Sequence, residues 1–328
     1  MQNRLALNVL QERKRMSIPE NKTSSSLSTL SSMRQSYKHI PYLFSLVKGV
    51  RTFFRNLTYK PIYNQLEEFR NLILFHQTKT LQSSHPNPLN KFGKKCFSQT
   101  DEDGITLEIL KRIKQLDDGA YAEFGVGDGT ENNTLILAAL GWKGFWVGGE
   151  KLKIDIGKAC HKRFAYLRDW ITLENILDLT KKGCAEIDSV GLDVVSLDLD
   201  GNDIYFVEEL LGNGFKPKLF IVEYNAKFPP PVEFEIAYDP KHIWRSDDYY
   251  GASLASFNSL FNNFGYKLVC CNSHTGVNAF FVDSSFSEFF SDVPNDIDQI
   301  YVEPRHHRYT KYGHTPSLRT INRIINGD

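Results

Sequence analysis

One stretch constrains this chain more than any other: Tyr121 to Gly129, Tyr-Ala-Glu-Phe-Gly-Val-Gly-Asp-Gly. A short apolar run ends in an acidic residue, three glycines then alternate, and a helical pattern begins at Thr130. Glycines at such positions let the backbone bend sharply and come close to a ligand, because a side chain would collide with it or forbid the dihedral angles. The form is that of a nucleotide-binding strand, loop and helix. Gly125, Gly127 and Gly129 read G-x-G-x-G, whereas the dinucleotide fingerprint is G-x-G-x-x-G. Glu123, two residues before the first glycine, would repel a pyrophosphate but suits a cofactor carrying an ammonium and no phosphate. A nicotinamide-dependent enzyme is disfavoured on both counts. An ordinary tight turn is the plain alternative for such a loop taken alone.

The surrounding pattern supports the ligand-binding reading. A strand is expected to end at Glu123 and Phe124, followed by a helix over 133–140 that Gly141 stops. Upstream, Thr100 with Asp103 reads as a short-armed capping box for a helix whose face is Ile105, Ile109, Leu110 and Ile113. The next strand, over 144–150, ends in Glu150, where a carboxylate in a doubly wound sheet accepts hydrogen bonds from ribose hydroxyls. A helix over 154–167 and a third strand over 170–174 follow, then Asn175.

The fourth and fifth strands carry the densest chemistry. Asp193 to Asp203 starts apolar and ends with acids, Asp198 and Asp200 falling on one face by strand alternation. Leu219 to Asn225 ends likewise in Glu223 and Asn225. Buried parallel strands bring these ends together at the sheet's switch point, where ligands bind. Gathered carboxylates need neutralising by a divalent metal, a cationic substrate or protons of their own. Helix capping is the bland alternative for strand-end acids. An aromatic insertion over 226–249, a helix over 252–264 and two final strands joined by Asn272 to Gly276 complete the domain.

The glycine loop resembles motif I of class I S-adenosylmethionine (SAM) methyltransferases. The ordered set of Glu123 with the glycines, Glu150, Asp198-Leu199-Asp200-Gly201-Asn202-Asp203 and Val222-Glu223-Tyr224-Asn225 resembles the FkbM-like group of these enzymes over about 97–286. The Asp-Gly-Asn-Asp run is also similar to the fourth-strand motif of metal-dependent, macrocin-type sugar O-methyltransferases. The resemblance implies an α/β fold, a doubly wound seven-stranded Rossmann-like sheet with an antiparallel last strand. It further implies SAM as cofactor, held at its amino end by Glu123, at the glycines, at its ribose by Glu150, at its adenine by Asn175, and by Asp198. Methyl transfer to a hydroxyl of a saccharide or similar small-molecule or glycan acceptor is implied too, with Asp198, Asp200 and Glu223 as catalytic acids. The macrocin-type enzymes place a magnesium-binding aspartate pair after the fifth strand; this chain departs from that with Glu223-Tyr224-Asn225, so Asp200, Glu223 and Asn225 stand only as candidate Mg2+ ligands.

Charge separates the front of the chain from the rest. Residues 1–96 hold 16 of the 39 Lys and Arg but only 4 of the 39 Asp and Glu, although the whole chain is neutral. A polar, basic, disordered tail is expected over 1–36, a basic helical arm and linker over 37–96, the catalytic-type domain over 97–286 and a basic tail over 287–328. In the arm, helices over 42–57 and 63–75 are expected on either side of a break at Pro61, with 85–90 as linker. The first has a basic amphipathic face, fit for homo-oligomer contacts or a peripheral membrane surface. A non-catalytic scaffold that docks through this arm is the rival functional reading. Nucleic acid is disfavoured as a partner, since no N/D-P-P-Y-type motif is present. His274 and the tail residues His306, His307 and His314 are weaker candidates for a general base. Five cysteines without C-x-x-C spacing, and no apolar run long enough to span a membrane, point to a reducing, cytoplasmic setting.

Overall fold

A computed structural model describes residues 41–154, 156–157, 163–305 and 317–327, with 41–61 described through their backbone alone. The expected tail over 1–36 and His306, His307 and His314 lie outside the described residues. The chain divides into two units, Met1–Phe69 and Arg70–Asp328.

The fold is α/β. Seven strands form one sheet: β1 (Ala120–Phe124), β2 (Lys143–Gly148), β3 (Phe164–Arg168), β4 (Val194–Leu197), β5 (Leu219–Glu223), β6 (Tyr266–Cys271) and β7 (Asn278–Asp283). Their order is 3-2-1-4-5-7-6, with β7 antiparallel to both β5 and β6 and the other pairings parallel. This is the doubly wound, Rossmann-like sheet expected of a methyltransferase-type chain. The order reverses between β1 and β4, which opens the crevice where such sheets bind ligands. Central strands read as continuous apolar runs because they are covered on both faces: every residue of β1 and β4 is buried.

The helices are α1 (Pro41–Ser84), α2 (Glu102–Arg112), α3 (Leu135–Ala139), α4 (Ile176–Glu186), α5 (Asp203–Gly212), α6 (Leu254–Asn263) and α7 (Leu318–Asn326). Four expectations need correction. First, α1 runs through Pro61. A proline removes one backbone bond and crowds the preceding turn, which a long helix can absorb without ending. Second, residues 85–90 are no linker. The buried amides of Asn87 and Asn90 donate to the Val269 and Cys271 carbonyls, fastening a short 3-10 turn (Pro88–Phe92) to β6. Third, the third strand is Phe164–Arg168, overlapping the end of the segment read as helix, while 170–174 is a loop. Fourth, α2 is not capped by Thr100: Asp101 is its N-cap residue. Asp103 Oδ2 instead gathers the Cys96, Phe97 and Ser98 N–H groups and the Ser98 hydroxyl, at 2.6–2.9 Å.

Candidate functional site

Two cavities open along the carboxyl edge of the parallel strands. The smaller, about 230 Å3, is lined by Gly125 and Gly127 of the glycine loop and by Gly148, Gly149 and Glu150 beyond β2. Asp169, Trp170 and Ile171 beyond β3 continue the lining, followed by Asp198 to Asn202 beyond β4, Phe206, and His242 from the insertion. The larger, about 620 Å3, is bounded by the end of α1 (including Leu74, Phe75 and Lys79), by 93–95, and by His274 to Val277 with Arg305. Trp244 and Tyr250 of the insertion complete its walls. Asp200 lines both cavities, and Glu223 lines the larger.

The glycine loop is built as its spacing requires. Gly125 has φ +89°, and a Cβ there would stand 1.7 Å from the Asp198 carbonyl oxygen, so only glycine lets the β1 loop lie against the β4 loop. Gly127 has φ +51° and nothing within 4 Å of where a Cβ would be, which leaves room for a ligand. Gly129 packs behind the loop toward Leu152 and Trp146 and does not line the cleft.

Glu123 serves the loop from beneath. Its two oxygens accept from Asn133 N–H (2.9 Å), Thr134 N–H (3.0 Å) and the Thr134 hydroxyl (2.5 Å), and Trp146 Nε1–H donates to that hydroxyl in turn (2.9 Å). The carboxylate therefore caps the start of α3. Burial raises its pKa, while these donors pull it down. With its oxygens engaged and its side chain outside the cleft lining, the expected contact to a ligand's ammonium gives way to a capping role.

Two other expected residues are likewise committed elsewhere. Asn175 ties up the 170–175 turn, accepting from Thr172 N–H (2.8 Å) and donating to the Trp170 carbonyl (2.8 Å). It does not line the cleft and holds Trp170 and Ile171, which do. Asn225 is fully buried and donates to the Asp248 and Tyr250 carbonyls, at 3.0 Å each, while its oxygen accepts from Lys227 N–H. Both the amide nitrogen and the amide oxygen of Asn225 are thus engaged in holding the insertion. Glu150 does reach the cleft, and its carboxylate makes no hydrogen bond among the described residues.

The acids of β4 and β5 meet as expected, by a different route. Asp198 and Asp200 lie beyond the end of β4, and Asp200 has φ +55°, uncommon for a residue with a side chain and typical of constrained functional loops. One oxygen each of Asp198, Asp200 and Glu223 lie within 4.8 Å of one another. Asp198 thus takes the third place expected for Asn225. Burial, and then the charges of Asp200 and Asp203, push Asp198 well above the usual carboxylate range; burial and then Asp198, Asp200 and Asp203 do the same to Glu223. Burial also raises Asp200. Asp203, which accepts from Leu199 N–H (2.9 Å) and Gly201 N–H (3.0 Å), is pushed up by burial to about 6. Three such acids together can share protons or hold a hard divalent cation through oxygen ligands.

The aromatic insertion divides between the two roles open to it. Phe228, Phe234, Ile236 and Tyr249 form a small core of their own, whereas Trp244 and Tyr250 line the larger cavity. Sequence reading passed over His242, which lies in a stretch without periodicity. Its ring nitrogen Nε2 is buried without a hydrogen-bond partner, and burial, then the Arg319 charge, lower its pKa. His274 is held by the Thr78 hydroxyl on Nδ1 (3.0 Å) at the wall of the larger cavity.

No protein-family model matches the chain, and no curated protein matches it by sequence. Solved structures similar to it include an O-methyltransferase family 2 protein from Planctomyces limnophilus in complex with apigenin. That pair has a TM-score of 0.31 and 10% identity over 51% of this chain and 50% of the other. A magnesium protoporphyrin IX methyltransferase from Synechocystis with bound SAH has TM-score 0.34 and 11% identity, covering 59% of this chain and 91% of that one. A protein described as a hemolysin from Lactococcus lactis has TM-score 0.35 and 11% identity, covering 54% and 85%. This chain thus spans half the length of the first of these, and likenesses of this size say nothing about the reaction.

Proposed function

We propose that the chain is a SAM-dependent methyltransferase that acts on a hydroxyl of a small-molecule or glycan acceptor. The observation that carries this reading is the position of the acid trio: Asp200 lines both the glycine-loop cleft and the larger cavity, so the acids stand where two bound molecules would meet. The motif resemblance supports the identity of the first molecule. The site also fits it: Gly127 leaves open space, the Glu150 carboxylate is available to a ribose diol, and a cationic ligand beside Asp198 would offset the burial and acid crowding that oppose its charge.

Bound in the cleft, SAM supplies an electrophilic methyl group. The chain's own part is alignment and proton handling. Trp244, Tyr250 and the end of α1 would seat the acceptor, with its hydroxyl against Asp200 and Glu223. An ionised carboxylate of the trio takes the hydroxyl proton, and pKa values raised by burial, and for Asp198 and Glu223 also by neighbouring acids, make these groups stronger bases than ordinary carboxylates. If Mg2+ is used, Asp198, Asp200 and Glu223 would hold it and it would acidify the hydroxyl. Calorimetry tests the reading: SAM should bind the wild-type chain in the micromolar range and fail to bind Gly127→Arg. Absence of heat with SAM overturns it.

A second reading concerns the arm. Ile62, Tyr63, Leu66 and Phe69 on α1 are all more than half exposed, which supports the arm as a homo-oligomer contact, with a peripheral membrane surface as the other occupant. No helix among the described residues is long and apolar enough to cross a membrane. Light scattering of the intact chain against Leu66→Glu distinguishes these, since an oligomer should dissociate. If SAM binds but no acceptor is consumed with or without Mg2+, the scaffold reading takes precedence.

A further inference from the structure

The helix α7 is docked on the domain by its polar side. The Thr320 hydroxyl donates to Asp248 Oδ1 (2.7 Å), and the same oxygen accepts from Ser317 N–H (2.9 Å). Arg323 Nε–H donates to the Glu235 carbonyl (2.8 Å), and the Arg319 guanidinium lies 3.9 Å over the Tyr249 ring. The apolar side is left outside: Leu318 is 78% exposed, Ile325 73%, Ile324 49% and Ile321 42%. These four recur at i, i+3, i+6 and i+7 and so share one stripe, which in a helix of a globular domain ordinarily faces the core.

A third cavity, of about 440 Å3, lies beside this helix and is lined by Asp239, Lys241, His242, Ile243, Arg245 and Arg319. It is separate from the two at the sheet edge, sharing only His242 with the smaller of them. Its charge is positive and uncompensated. Lys241, Arg245 and Arg319 form no ion pair among the described residues. Asp239 is the single acid of the lining, and its Oδ1 accepts from Lys241 N–H (2.9 Å). Ile243, at the same place, is 69% exposed. The sequence leading into and through α7 adds to the charge, since Pro304 to Gly327 holds five Lys and Arg and no acid.

We propose that α7 and the 239–245 loop form a docking face for an anionic phospholipid surface. The aliphatic stripe and Ile243 enter the boundary between headgroups and acyl chains, and Lys241, Arg245 and Arg319 take the lipid phosphates. An anionic leaflet matches both halves of the face, because its acyl boundary covers the aliphatic groups and its phosphates neutralise the cations. Water alone leaves a contiguous apolar stripe uncovered. A second copy of the chain matches less well. On a two-fold axis the same three cations would meet their own copies, with Asp239 alone to offset them. The face lies apart from the glycine-loop cleft, so the inference stands whether or not that cleft takes SAM.

Co-sedimentation of the intact chain with vesicles tests the proposal, phosphatidylcholine alone against phosphatidylcholine mixed with phosphatidylglycerol. The wild type should pellet with the mixed vesicles and stay in solution with the neutral ones. Leu318→Asp and Arg245→Glu should each weaken binding to the mixed vesicles about tenfold. Both residues are exposed, so neither change should disturb folding, and an unaltered circular dichroism spectrum checks this. Equal pelleting with the two kinds of vesicle, or no pelleting of the wild type, overturns the proposal. Binding that either variant leaves unchanged overturns it too and assigns the contact to another surface, the basic arm first. Self-association without lipid that Leu318→Asp abolishes, seen by light scattering, gives the face to a second copy instead.

Discussion

Glu123 at the end of β1 and Asp198 just beyond β4 stand on adjacent strands and look alike in sequence, each an acid closing an apolar run. Their surroundings are opposite. Glu123 is met by three donors at the start of α3, which offset part of the cost of burying its carboxylate. Asp198 is met by other acids, Asp200, Asp203 and Glu223, so its charge is a cost to the fold. A strand-end carboxylate that donors surround is holding the scaffold. One that carboxylates surround is held by the scaffold, and a bound cation, a substrate or a proton accounts for it.

That contrast can be broken most decisively at Glu123. Glu123→Ala leaves three buried donors without an acceptor and should cost about 3–5 kcal/mol in urea unfolding, with Trp146 fluorescence as a local reporter. A loss under about 1 kcal/mol would end the capping assignment. Next in size is Asn225→Asp. A carboxylate cannot donate to the Asp248 and Tyr250 carbonyls, so about 2–4 kcal/mol should be lost. Were Asn225 a metal ligand, the same change would tighten metal binding instead.

The pH profile sharpens the comparison from the acid side. Asp203 titrates near pH 6 in the folded chain and near 4 when unfolded. Between those values the folded state binds more protons, so stability is highest below pH 4 for this group and falls as pH rises to 6. Its share is roughly 2–3 kcal/mol, read as the difference in pH slope between wild type and Asp203→Asn in denaturant titrations. Asp198→Asn removes a charge that its neighbours oppose, and should raise stability at pH 8 by about 1 kcal/mol while lowering methyl transfer. A loss of stability there would place Asp198 with Glu123. The smallest effect is that of magnesium: at a concentration equal to its dissociation constant it should stabilise the wild type by about 0.4 kcal/mol and Asp200→Asn by none, measured as a thermal shift.

Much of the sheet was legible because its central strands are covered on both sides. Their apolar runs are short and end in glycine or acid, as β1, β2, β4 and β5 show. The edge strand β3 was misplaced for the complementary reason. Three of its five residues are only partly covered, so Phe164–Arg168 carries no clean alternation. The β-branched and aromatic run after it looks like a strand but forms the loop that the Asn175 amide holds. Asn175, Asn225 and Glu123 were read as ligand contacts because each residue type at a strand end suits that use. Nothing along the chain reveals that their polar atoms are already engaged.

Local physics therefore settled the glycine loop and the order of strand and helix, since a positive φ, a tight approach and a two-residue alternation are properties of neighbouring residues. Folding settled the division of labour among the polar groups. Asn225 finds its acceptors 23 and 25 residues away, Asn202 meets Asp239 across 37, and Asp198 comes beside Glu223 because β4 pairs with β5. Hydrogen bonds and charges are satisfied in space rather than along the chain. Only there do Glu123 become a cap, the β4 and β5 acids a close cluster, and His242 Nε2 a buried ring nitrogen without a hydrogen-bond partner.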